Sequence, residues 1–132
     1  MDKILAEISA GELFDKITIL EIKKSKISNK EKLNDIDKEL LSLKEAVNKY
    51  IPNQSRISKY VNELKNINLK LWDIEDGKRA AEKNKDFGEK FIELSRNVYK
   101  SNDERAKIKL SINNSLGSNI KEVKSHEWLI LF

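Results

Sequence analysis

The chain has no cysteine, one proline, four glycines and one histidine among its 132 residues. Without cysteine there is no disulfide framework and no thiolate chemistry. With His126 as the sole histidine, a histidine-based zinc site or a catalytic triad within one chain is excluded. Only Pro52 and the glycines Gly11, Gly77, Gly88 and Gly117 interrupt the sequence, so long stretches are free to run as helix. No apolar run approaches the roughly 20 residues that a membrane-crossing helix needs. The longest is Trp128 to Phe132. No basic-then-apolar leader opens the chain either, because Asp2, Lys3 and Glu7 break up its first residues. The expectation is a cytoplasmic protein with no membrane contact.

What is present is charge and period. Hydrophobic residues make up 39% and charged residues 36%, with a net charge of +4. That balance suits one modest core in a single domain spanning 1–132. Only Arg56, Arg79, Arg96 and Arg105 among the 26 basic residues are arginine. The lysines are spread evenly rather than gathered in a block, so the basic balance by itself does not point to nucleic acid.

Apolar residues recur at helical spacing throughout. A first helix is expected from Ala10 to Ile27. Leu13, Phe14, Ile17, Ile19, Leu20 and Ile22 occupy more than one of its faces, which predicts burial on most sides. Ser28 with Glu31 forms a capping-box pattern for a second helix, striped by Leu33, Ile36, Leu40, Leu43, Val47 and Tyr50. Pro52 ends it. Asn53 or Ser55 is expected to cap a third helix, striped by Ile57, Val61, Leu64 and Leu71 and running to Lys83. A turn at Asn84–Asp86 leads to a fourth, from Phe87 to Leu116, striped by Phe91, Leu94, Val98 and Ile112. Gly117 stands where a left-handed terminating residue belongs. Four helices on short turns predict an all-α, up-down-up-down antiparallel bundle with a short C-terminal extension. The extension ends in Trp128-Leu129-Ile130-Leu131-Phe132, too apolar to be left in water.

Polar residues break these stripes. At about 100° per residue, Glu21 interrupts an apolar face of the first helix, and Asn68 and Glu75 that of the third. Asn102, Arg105 and Lys109 interrupt the fourth. Folding the chain about its turns brings Glu21, Asn68, Asn102 and Arg105 to one level, with Asp37 at the edge and Glu75 two turns away. Buried charges must find each other or a ligand. The layer is therefore either structural, with a Glu21–Arg105 ion pair and amides fixing register, or a ligand site. In the second case Arg105 and Lys109 hold an anion and Glu21 or Glu75 serves as acid or base. No metal is expected; the alternative is Mg²⁺ held by the i, i+3 acids Glu12 and Asp15 together with Glu75 and Asp76.

Several of these segments resemble one uncharacterised family of small bacterial and phage proteins, described only as a domain of unknown function. The resemblance is carried by Gly11-Glu12-Leu13-Phe14-Asp15-Lys16-Ile17-Thr18-Ile19-Leu20-Glu21-Ile22-Lys23 and by Leu71-Trp72-Asp73-Ile74-Glu75-Asp76 with Arg79. It continues in Phe91 to Leu94, Val98-Tyr99, Asn102-Asp103, Arg105-Ala106, Ile108-Lys109, Ile112-Asn113, Gly117-Ser118 and Glu122 to Ser125. It leaves out the second helix and the last seven residues. It implies a setting beside surface-polysaccharide assembly and no particular activity. Ala10 stands where that family usually has proline.

Two functions follow. One is a helical module that self-associates as a homodimer or binds a partner protein, resting on the all-round apolar first helix and the apolar tail. The other is an enzyme or binder for an anionic small molecule such as a nucleotide, a sugar nucleotide or a phosphorylated metabolite. Its concrete forms are a Mg²⁺-dependent nucleotide pyrophosphohydrolase, or a chorismate-mutase-like bundle in which Arg105 and Lys109 hold carboxylates.

Overall fold

A computed structural model describes residues 1–123. It contains four helices: α1 (Ala10–Lys26), α2 (Lys30–Tyr50), α3 (Ser58–Lys83) and α4 (Glu89–Leu116). The described residues include no strand, in keeping with the expected all-α bundle. The apolar tail and His126 lie outside the described residues.

The shortest helix is the central one. α1 packs against α2, α3 and α4, whereas α2 packs closely against α1 alone. This is why α1 carries apolar residues on several faces: Leu13, Phe14, Ile17, Leu20 and Ile22 are all buried. Leu64 and Ile67 of α3, Ile112 of α4, and Ile36, Leu40 and Val47 of α2 complete the core, with Ile57 fully enclosed in the connection before α3. α3 and α4 form a long antiparallel hairpin of 26 and 28 residues against the 17 of α1. At about 1.5 Å per residue, the hairpin outruns α1 by more than 10 Å. Beyond α1 its packing thins: no residue of α3 after Ile74 and none of α4 before Ser101 is buried.

Several local expectations are corrected. α2 is not capped by Ser28; the Asn29 side chain accepts from the Lys32 amide at 3.1 Å, one residue nearer the first turn. Neither Asn53 nor Ser55 caps α3. The Asn53 side chain instead accepts from the Ser55 amide and hydroxyl, closing a turn within the connection. α4 begins at Glu89 rather than Phe87, because Asp86 accepts from the Gly88 amide and holds the chain in a turn. Tyr50, placed on the α2 stripe, is exposed. Gly117 does take the left-handed conformation, with φ 64°. The Ser118 amide then bonds back to the Asn113 carbonyl at 2.9 Å, the closure of a Schellman motif.

Candidate functional site

The site begins with the amide donors at the start of α1. Ala10 donates to the Ser118 hydroxyl at 3.1 Å, Gly11 to Oδ1 of Asn113 at 2.6 Å, and Glu12 to the Ser9 hydroxyl at 3.1 Å. Leu13 makes the first main-chain bond, to Ser9. Every orphan donor of this first turn is therefore satisfied, two of them by the far end of α4 and the turn beyond it. The approach requires glycine: a Cβ on Gly11 would stand 2.5 Å from the carbonyl oxygen of Lys109.

One turn further along, Asp15 sits almost wholly buried. Arg105 grips its carboxylate with a fork, Nε to Oδ1 at 2.9 Å and Nη2 to Oδ2. Nδ2 of Asn68 donates to Asp15 Oδ1 at 2.9 Å and to the Thr18 hydroxyl at 3.0 Å, and that hydroxyl donates to the Asp15 carbonyl. Lys109, itself buried, places Nζ 2.8 Å from Glu12, 2.7 Å from Glu122 and 3.8 Å from Asp15. Burial pushes the Asp15 carboxyl up, but the bonds from Arg105 and Asn68 and the charges of Arg105 and Lys109 outweigh it and hold the group below its usual range. Burial likewise pushes Lys109 down. Its bonds to Glu12 and Glu122 and the charges of Asp15 and Glu12 prevail and hold it high. The Asp15 bond raises Arg105 against the opposing effect of burial.

One polar atom is left over. The Ser101 hydroxyl, a turn before Arg105, is buried with no hydrogen-bond partner among the described residues. An unpaired buried hydroxyl destabilises, so Ser101→Ala is expected to leave stability unchanged or raise it by up to about 1–2 kcal/mol. A loss of 1 kcal/mol or more in chemical denaturation would show that the hydroxyl has a partner.

Beside this cluster opens a cleft of about 520 Å³ between α1, α3 and α4. Ile19, Ile22, Leu71 and Trp72 supply its apolar wall, and Arg105 and Asn68 reach it from the buried cluster. Lys23, Glu75, Asp76 and Arg79 supply the remaining polar lining. Arg105 thus faces two ways: Nε and Nη2 are engaged with Asp15, and Nη1 is not used in that pair.

A family model, the family of unknown function DUF6165, matches residues 4–130. The chain belongs to DUF6165. Comparison with the curated proteins and with the solved structures gives no match. The family match is wider than the resemblance in the sequence implied, taking in α2 and most of the tail. Many of the residues that carried that resemblance meet in space. Gly11, Glu12, Asp15, Arg105, Lys109, Asn113, Ser118 and Glu122 form the polar network around the buried Asp15 and Lys109, and Leu71, Trp72, Glu75, Asp76 and Arg79 line the cleft.

The positions expected for the DUF6165 site divide. Asn68, Arg105 and Lys109 come together. Glu75 lines the cleft at its half-exposed edge, 4.0 Å from Arg79. Glu21 does not pair with Arg105; it meets Lys65 at 3.2 Å, and Asp37 meets Lys24 at the surface. Asn102 is half-buried and does not line the cleft. Counting residues back from each turn assumes tight connections. The link from Ile51 to Ile57 is too long for that, and α2 lies on α1 away from α3. The α1–α4 register is consequently shifted from Glu21 to Asp15, six residues or about 9 Å. Asp15 did carry a signal: Gly11, Asp15, Thr18 and Ile22 lie on one stripe, an acid between two small residues, and all four are buried. The four acids offered for Mg²⁺ are also separated in role. Glu12 and Asp15 face Lys109 and Arg105, while Glu75 and Asp76 line the cleft. Among the described residues no group of three His, Cys, Asp or Glu side chains is placed to hold a metal.

Proposed function

We propose that this chain is a non-catalytic helical binding module, and that the cleft between α1, α3 and α4 takes a small ligand with a planar ring and an anionic group. The observation that carries the reading is the pairing of Trp72 with Arg105, Lys23 and Arg79 in one cleft. An indole face stacks on a ring, and guanidinium groups match phosphate or carboxylate. Glu75 and Asp76 offer acceptors for hydroxyl groups. Binding is favoured over catalysis by the direction of the shifts beside the cleft. A general acid or base works best near the operating pH, whereas Asp15 is held low and Lys109 high. Both shifts favour the charged forms.

A nucleoside diphosphate, free or carrying a sugar, has the required chemistry. The setting beside surface-polysaccharide assembly that the sequence resemblance implies makes the sugar-bearing form a natural probe. Calorimetric titration with uridine diphosphate, a uridine diphosphate sugar and inorganic phosphate tests the reading. The two nucleotides are expected to bind and phosphate alone to bind much more weakly. Trp72→Ala should weaken nucleotide binding roughly tenfold or more, because ring stacking on an aromatic contributes about 1–3 kcal/mol. Arg79→Ala should weaken it with the fold intact. No heat from any of the three at millimolar concentration, or binding indifferent to Trp72→Ala, would overturn the proposal.

A further inference from the structure

Among the described residues, the part of the α3–α4 hairpin beyond α1 leaves one face of α4 without a neighbour. Glu89, Ile92, Glu93, Arg96, Tyr99 and Lys100 follow at helical spacing and are all exposed, Ile92 to 50% and Tyr99 to 69%. The two apolar side chains are seven residues apart, so they stand on one line along the helix. The charges are sorted: both acids, Glu89 and Glu93, precede both bases, Arg96 and Lys100. Asp15, Lys109 and the cleft play no part in this strip.

We infer that this face pairs with the same face of a second copy of the chain, with the two α4 helices antiparallel about a two-fold axis between residues 95 and 96. The strip is complementary to itself in that arrangement and in no parallel one. Antiparallel pairing about that axis sets Ile92 opposite Tyr99 of the second copy, twice over. It also brings Glu89 and Glu93 within two residues, about 3 Å along the helix, of lying opposite Lys100 and Arg96 of that copy. Parallel pairing would set acid on acid and base on base, which repels. A partner of any other sequence would have to reproduce this sorting, whereas a second copy supplies it by symmetry. The paired strip covers Ile92 and Tyr99, large side chains that the other described residues leave exposed.

The cysteine-free chain makes the test direct. Sedimentation should show a concentration-dependent dimer that weakens with added salt. Arg96→Cys, beside the axis, should become disulfide-linked to its copy under mild oxidation, while Tyr50→Cys, exposed on α2, should not. Glu93→Lys should weaken the dimer roughly tenfold, since it replaces two symmetric attractions with two repulsions of similar modest size. Glu93→Lys combined with Arg96→Glu reverses both signs and should restore it. Circular dichroism should stay unchanged throughout, because every altered residue is exposed. A monomer at all concentrations, or a dimer indifferent to Glu93→Lys and with no preference for the cysteine at 96, would overturn the inference. Neither result bears on ligand binding in the cleft.

Discussion

Asp15→Ala is expected to destabilise the fold by about 3 kcal/mol, the low end of the range for breaking a buried ion pair by removing one partner. The truncation strips Arg105 of both its bonds and leaves Nδ2 of Asn68 with Thr18 alone. The loss stays at the low end because the Arg105 side chain is 29% exposed and can turn towards water, and because Lys109 keeps Glu12 and Glu122. For a chain of this size that corresponds to a fall in Tm of roughly 10 °C. Asp15→Leu combined with Arg105→Met should recover most of the loss, since apolar replacement of a buried pair is often neutral or better. A cost under 1 kcal/mol for Asp15→Ala would mean that the cluster does not fix α1 on α4.

The same carboxylate sets a pH signature. Its folded value is held below the unfolded one. The stabilisation is therefore fully present above the unfolded carboxylate value of about 3.9, and is lost as pH falls through the lower folded value. Lys109 works in the opposite sense, its folded value being raised. Its contribution is complete below the unfolded lysine value of about 10.4 and disappears as pH rises through the higher folded one. The stability difference between the parent chain and Asp15→Ala should therefore be flat from about pH 5 to 9 and shrink below about pH 4. Urea denaturation of both proteins across that range measures it. A difference that grew with acid would contradict the depressed Asp15 value.

Gly11→Ala is the second large effect, about 2–4 kcal/mol destabilising. In an open helix the same change would stabilise by up to about 1 kcal/mol. Here the new methyl would meet main-chain oxygen of Lys109 at 2.5 Å and Oδ1 of Asn113 at 3.0 Å. Backbone cannot rotate away, so α1 and α4 must separate and the Gly11–Asn113 bond must stretch. Gly77→Ala is the control. Its Cβ would meet only side-chain atoms of Leu94, the nearest at 3.2 Å, in the thinly packed part of the hairpin where Leu94 can shift. Thermal denaturation should show a fall for Gly11→Ala and little change or a small rise for Gly77→Ala. A rise for Gly11→Ala of the size that helix propensity alone gives, up to about 1 kcal/mol, would show that the approach of α4 does not hold this position to glycine.

By itself the sequence determined the helices, because amphipathic period and punctuation act locally. It also determined that α1 would be buried on several sides, and that Asn68 and Arg105 break apolar stripes, since residues at helical spacing share a face whatever lies opposite. Gly117 belongs to the same class; a left-handed terminus depends on the glycine alone. It did not determine which acid would meet Arg105. Glu21 and Asp15 both interrupt a helix that is surrounded, and a helix with neighbours all round gives no outward face against which to judge a polar residue. That choice was made by the crossing of α1 over α4, which the contact of Gly11 with Lys109 and Asn113 fixes and which turn-counting misjudged by six residues. The cleft, too, belongs to the tertiary structure alone. It exists because α3 and α4 are longer than α1, so that Trp72, Arg79 and Arg105 come together where the shorter helix stops filling the groove.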